Sequence, residues 1–185
     1  SAVSIGIGHY LSTKKISCIY MQNSGLSNAI NPLISIAHKR VYSIPLILII
    51  GWRGSPKIKD EPQHNVKGEI TENILKLLNI KYTILRSNND LDIFDKQIKV
   101  ARKKGSIVAC LIEQGTLEKI KKIYKKKDFY NLDKELFLKT LLKILKKNTK
   151  IISSTGFNSR ELMHLRGKFK IMNGKDFYMV GGMGH

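Results

Sequence analysis

Cysteine is scarce: Cys18 and Cys110 are the only two in 185 residues. Both fall in apolar stretches that read as buried strands, where cysteine serves as a small hydrophobe, so they are expected to be core thiols and not a disulfide. A reducing, cytoplasmic setting follows from that reading. Long apolar runs are also missing, and none nears the roughly 20 residues of a bilayer-spanning helix. The first residues carry neither a basic stretch nor a small-residue cleavage pattern, so no secretory leader is expected. His9, His38 and His164 stand on predicted helices with no Cys, Asp or Glu at ligand spacing, and no zinc site is read from them. There is no nucleophile–His–acid set and no Walker-type phosphate loop.

Acidic residues are few, 14 against 33 Lys and Arg, which leaves a net charge of +19. Such an imbalance can signal nucleic acid or an anionic membrane as partner. Here the lysines crowd into 119–127 and 139–150, on helices whose other faces are Leu and Ile, and no aromatics are spaced among them to stack bases. Ile and Asn share A/T-rich codons with Lys and are abundant too. The charge therefore reads as solvated helix faces, with neither nucleic acid nor membrane expected as partner. A hydrophobic content of 42% excludes general disorder. A chain of this length can bury one domain, or one domain and part of another.

What is present is an alternation. A helix over 1–15 is followed by a short strand, Ile16 to Met21, a polar turn Gln22-Asn23-Ser24-Gly25, and a helix from Leu26 to His38. The apolar run Ile44 to Ile50, ended by Gly51, has the composition of a strand buried on both faces. Trp52, Arg53 and Gly54 then enter a polar loop holding Asp60, Glu61, Gln63 and His64, and a helix is expected over Thr71 to Asn79. Strand 82–85, helix 91–104 stopped by Gly105, and strand 106–113 complete a first series. After a lysine-dense connector come an amphipathic helix, 133–147, a strand ending at Ser153, a helix over 159–165 and a strand from Phe177 to Val180. Strands alternating with helices predict an α/β fold, a parallel sheet covered on both faces. Ligands of such sheets sit past the carboxyl ends of the strands. The tips near Asn23 and His64 are thus expected to face one crevice.

The residues there suit binding and proton transfer. Ser24 and Gly25 can present backbone N–H groups, and Gln22 and Asn23 offer amides. Arg53 can hold an oxyanion bidentately, unless it is spent on an ion pair with Asp60 or Glu61. His64 can donate a proton or orient a carboxylate, with Gln63 beside it. Ser154, Thr155 and Gly156 lie between a strand end and a helix start, a position that receives phosphate oxygens as readily as it forms an ordinary cap. Gly182 and Met183 lie in a glycine cluster where backbone can approach a ligand closely.

Taken in order, SAVSIGIGHYL, MQNSGLSN, YSIPLILIIGWRG, KDEPQH, SSTG…SREL and GGMGH resemble segments of the phosphonopyruvate and sulfopyruvate decarboxylases, which depend on thiamine diphosphate and Mg²⁺. The resemblance covers essentially the whole chain. It implies a three-layer pyrimidine-binding domain over 1–118, a connector over 119–148, and over 149–185 the truncated start of a similar diphosphate-binding domain. It implies His64 and Gln63 as catalytic residues, and Gln22, Asn23 and Arg53 as substrate ligands. Ser24, Gly25, Ser154, Thr155, Gly156, Gly182 and Met183 would serve the cofactor, with Met183 supporting its bent shape. The implied reaction is decarboxylation of 3-phosphonopyruvate to phosphonoacetaldehyde, in a homo-oligomer that binds the cofactor between subunits. Sulfopyruvate as substrate and a non-catalytic module of the same fold are the alternatives. In that family the activating glutamate precedes the residues matching Ser1 and the Mg²⁺ ligands follow those matching His185. An internal fragment, inactive alone, is therefore expected, and no metal ligand is assigned within the chain.

Overall fold

The computed structural model describes residues 2–56, 58–118, 131–146, 149–154, 156–168 and 176–179. Contacts divide the chain into two units, Ser1–Lys119 and Ile120–His185. In the first unit, α1 (Ala2–Thr13), β1 (Ser17–Gln22), α2 (Asn23–Pro32), β2 (Leu46–Trp52), α3 (Pro62–Leu77), β3 (Lys81–Leu85), α4 (Asn88–Lys104) and β4 (Ile107–Glu113) follow one another. Pro32 has no N–H to continue the ladder of α2, and the chain widens into a π-helical turn, Leu33–Ala37.

The four strands form one parallel sheet in the order β1-β2-β4-β3. The Ile44–Ile50 run supplies its second strand, with Leu46, Leu48, Ile50 and Trp52 pointing into a core shared with Val3, Leu26, Leu33 and Leu75. Fully burying each such side chain stabilises the fold by about 1.5–3 kcal/mol. On the opposite face Leu85, Val108 and Cys110 pack with Phe94 and Ala101 of α4. Helices on both faces of a parallel sheet give the expected three layers.

Three expectations change. β2 is fully buried on one face only, because α4 covers the β3–β4 half of the other face and leaves Ile47 and Ile49 partly buried. For the same reason Cys18, on the edge strand β1, is exposed and not a core residue, whereas Cys110 is buried; both are free thiols. Finally, α3 begins at Pro62, well before Thr71, so Gln63 and His64 belong to a helix and not to a loop. Pro62 is tolerated there because the first helical turn needs no N–H from it.

The second unit contains α5 (Lys134–Ile144), β5 (Ile152–Ser153), α6 (Phe157–Lys168) and β6 (Phe177–Tyr178), the two short strands being parallel. Leu142, Leu162 and Leu165 form its core. Arg166 and Asp176, both nearly inaccessible, pair through Nε–Oδ2 at 2.8 Å, and Asp176 Oδ1 also accepts from the Ile151 N–H at 2.9 Å. Such a pair satisfies its own desolvation only when further hydrogen bonds complete it. Of the predicted connector, 119–130, 147 and 148 lie outside the described residues.

Candidate functional site

Because β1 and β2 are neighbours, their carboxyl ends lie side by side, and the turn after β2 brings α3 to the same edge. Asn23 is the clip. Its Nδ2 donates to the Arg53 carbonyl at 2.9 Å and to Thr71 Oγ1 at 3.0 Å, while its Oδ1 accepts from the Arg53 N–H at 3.2 Å. The side chain is 4% exposed, so its amide is consumed inside the protein. Next to it, Ser24 Oγ donates to Gln22 Oε1 at 2.6 Å, which leaves the Gln22 amide N–H groups available. Among the described residues no side chain caps the start of α2, where Ser24 and Gly25 sit in the first turn. A Cβ added at Gly25 would meet only Met21 Cβ, at an ordinary 3.8 Å.

The β2–α3 turn is held more tightly. Gly54 has φ +67°, and a Cβ there would stand 2.0 Å from the His64 carbonyl oxygen. A Cβ on Gly68 would stand 1.6 Å from the Gly54 carbonyl oxygen. Two glycines thus let the turn cross α3 backbone to backbone. Trp52 fixes the crossing by donating its Nε1–H to the Gly68 carbonyl at 2.9 Å. Sequence reading passed over Gly68 and Thr71, since a contact across 48 positions, as in Asn23 to Thr71, leaves no local signal.

Arg53 spends Nε and Nη2 on Asp60, at 2.6 and 2.5 Å. Asp60 also accepts from the N–H groups of Gly54 and Glu61, at 2.9 and 2.8 Å. The Arg53 hydrogen bonds, aided by these amides, hold the Asp60 carboxyl well below the usual carboxylate range. A bidentate oxyanion grip by Arg53 is therefore already taken, and Nη1 is what remains on a side chain 38% exposed.

Gln63 and His64 contrast with this. Gln63 Oε1, His64 Nδ1 and Ser55 Oγ are buried with no hydrogen-bond partner among the described residues. Burial, reinforced by the Arg53 charge, pushes the His64 imidazole below its ordinary value, so it is neutral at pH 7.

A cleft of about 470 Å³ opens at the strand ends, lined by Tyr20, Gln22, Gly51, Arg53, Glu113 and Gln114 among others. Asn23 bonds to Arg53 and the His64 backbone abuts Gly54, but neither of them, nor Gln63, is among its walls. Glu113 and Gln114 were missed, although Glu113-Gln114-Gly115 follows an apolar strand much as Gln22 to Gly25 does. Glu113 meets Arg86 at 3.3 Å.

In the second unit Ser154 and Gly156 precede α6. The Ser154 hydroxyl accepts from Asn158 Nδ2 at 3.1 Å, its carbonyl accepts from Ser159 Oγ at 2.6 Å, and Gly156 has φ +88°. Thr155, Gly182 and Met183 lie outside the described residues. Among the described residues no group of three His, Cys, Asp or Glu side chains could hold a metal ion, and no helix is long and apolar enough to cross a membrane.

No family model matches the chain. Against individual proteins it is 30% identical over 200 residues to the phosphonopyruvate decarboxylase of Streptomyces hygroscopicus, covering 99% of this chain and 48% of that protein. The chain is a homologue of phosphonopyruvate decarboxylase. The enzyme of that name from Streptomyces viridochromogenes is 29% identical over 190 residues, or 91% of this chain and 45% of that protein. The chain thus spans about half the length of the phosphonopyruvate decarboxylases it matches. Sulfopyruvate decarboxylase subunit alpha of Methanococcus maripaludis is 38% identical, but over 80 residues, 43% of this chain. The likeness to phosphonopyruvate decarboxylases takes in both units; that to the sulfopyruvate enzyme covers less than half of the chain.

Proposed function

We propose that the complete protein carrying this chain decarboxylates 3-phosphonopyruvate to phosphonoacetaldehyde and CO₂ with thiamine diphosphate and Mg²⁺, in an assembly of more than one subunit. The likeness of nearly the whole of this chain to about half of proteins named for that reaction carries the reading. When bound, the cofactor supplies the nucleophilic carbon and the electron sink that loss of CO₂ from a 2-oxoacid requires. The donor set fits such a group: buried Gln63 Oε1 and His64 Nδ1 lack partners among the described residues, and a bound molecule can supply them.

The residues divide the work. Gln22 Nε2 and the first-turn N–H groups at Ser24 and Gly25 would bind at the β1 end, and Ser154 with Gly156 would take diphosphate oxygens at the start of α6. By family likeness Thr155 is assigned to the same diphosphate oxygens, Gly182 to close backbone approach to the cofactor, and Met183 to support of its bent shape. His64, neutral at pH 7, can accept or deliver a proton at Nδ1, and Gln63 would orient the group that exchanges it. Arg53 Nη1 supplies positive charge toward a phosphonate, its other edge being locked to Asp60. Asn23 keeps the Arg53 backbone in place, and its contribution to substrate binding runs through that contact. No Mg²⁺ ligand is assigned within the described residues.

The test is aldehyde and CO₂ formation by the complete protein, with 3-phosphonopyruvate and sulfopyruvate compared at equal concentration. A preference for sulfopyruvate would move the assignment to that enzyme, and no turnover of either would favour a non-catalytic module.

A further inference from the structure

The sheet of the first unit has a second cleft at the opposite end, about 810 Å³ in volume. It lies at the amino ends of β3 and β4, between the carboxyl ends of α3 and α4 and the turn after the π-helical segment. Its wall is aliphatic and unusually open to solvent: Ile34 is 43% exposed, Val41 50%, Val100 42% and Leu77 84%. Lys39, Arg40, Lys81 and Lys104 surround that wall, and no Asp or Glu is among the described lining residues. None of the four cations has an ion-pair partner among the described residues, although Arg53, Arg86 and Lys99 of the same unit do find carboxylates.

Helix carboxyl ends attract cations, which accounts for Lys104 in the last turn of α4. It does not account for Lys81, which opens a strand, or for the solvent-facing Leu77. A second copy of a chain with net charge +19 would be repelled from the cations. A cleft of this size suits small-molecule sites of about 300–1,000 Å³, and its described lining holds no Phe, Tyr or Trp, with His38 the one ring on which a base could stack. We propose that this cleft binds a small organic polyanion, a phosphorylated molecule whose charges meet the four cations and whose apolar body lies on the aliphatic wall. The inference is independent of the decarboxylase reading.

Calorimetric titration of the complete protein with adenosine triphosphate, inorganic tripolyphosphate and adenosine at near-physiological salt tests it. One saturable site for the nucleotide is expected, with weaker binding of tripolyphosphate and none of adenosine. The Lys81→Gln/Lys104→Gln variant should weaken the nucleotide by about tenfold or more, as expected for lost charge-assisted hydrogen bonds, whereas Lys15→Gln/Lys96→Gln should leave it unchanged. Leu77→Ser, at an exposed position that does not threaten folding, should weaken the nucleotide but not tripolyphosphate. Absence of saturation, equal losses in both lysine variants, or competition by the 2-oxoacid substrate would overturn the proposal. So would tighter binding of an RNA duplex that the Lys81→Gln/Lys104→Gln variant also loses, which would make the surface a nucleic-acid site.

Discussion

Two polar tips of one sheet edge treat their hydrogen bonds in opposite ways. At the end of β1, Asn23 is buried and both ends of its amide are bonded to Arg53 and Thr71. At the start of α3, Gln63 Oε1 and His64 Nδ1 are buried and have no hydrogen-bond partner among the described residues, as is true of Ser55 Oγ on a residue 2% exposed. A satisfied buried amide holds backbone in place. An unsatisfied one costs about 1–3 kcal/mol until a ligand or water meets it. The difference separates scaffold from site more sharply than residue type does, since both tips present amides.

The scaffold side should break hardest at its glycine crossing. Gly68→Ala would drive a Cβ to 1.6 Å from a backbone oxygen that cannot swing away. A loss of about 3 kcal/mol or more is expected, the upper range for overpacking. Gly8→Ala, in α1 with nothing within 4 Å, should instead stabilise by about 0.5–1 kcal/mol. Urea denaturation of the two variants checks the pair, and similar midpoints would mean that the crossing is looser than described. Next in size is Asn23→Ala, expected to cost about 2 kcal/mol by orphaning the Arg53 N–H and carbonyl. Asn23→Asp should cost more, because a carboxylate oxygen would face the carbonyl that now receives an N–H at 2.9 Å.

How much of this was legible depends on whether the cause is local. The Ile44–Ile50 run announced β2, and Gly105, at φ +58°, announced the end of α4. The start of α4 came earlier than periodicity suggested because Ser87 and Asp90 form a capping box. The start of α3 was hidden for a different reason. Its first turns are held by glycine backbone and not by apolar side chains, so no helical period appears before Gly68, Thr71 and Leu75. Cys18 reads as core because apolar letters do not say which face of an edge strand is covered. At the site, the residue types were visible and their bonding was not: Asn23 and Arg53 are 30 positions apart. The ion pair of Arg53 with Asp60, at a separation of 7, was near enough to be weighed in advance.

That ion pair gives the third prediction. Asp60 titrates below its unfolded value, so its contribution is present above about pH 4 and is lost as pH falls through the folded value. Asp60→Asn should cost about 2 kcal/mol at pH 7, less than a fully buried pair because Arg53 is partly solvated, and the acid limb of the stability curve should flatten. A curve of unchanged slope would mean that the Arg53 hydrogen bonds do not set the Asp60 titration. In the same variant Arg53 regains its fork, so oxyanion affinity at the strand-end cleft should rise while stability falls.

The smallest effect is the most telling, because it removes a site group at little or no cost. Gln63→Met keeps the volume and removes an acceptor with no partner among the described residues. Stability should stay within about 0.5 kcal/mol of the parent, or rise, since replacing an unpaired polar group by an apolar one of similar shape is nearly neutral. His64 carries the matching pH signature. Its folded value is depressed by burial, so stability should decline as pH falls from about 6.5 toward that lower value, and His64→Gln should remove the decline. A loss above about 1 kcal/mol in Gln63→Met would mean that the oxygen has a partner after all, because only a bonded acceptor is costly to delete. The two tips would then be equally closed, and His64 would stand beside a second piece of scaffold.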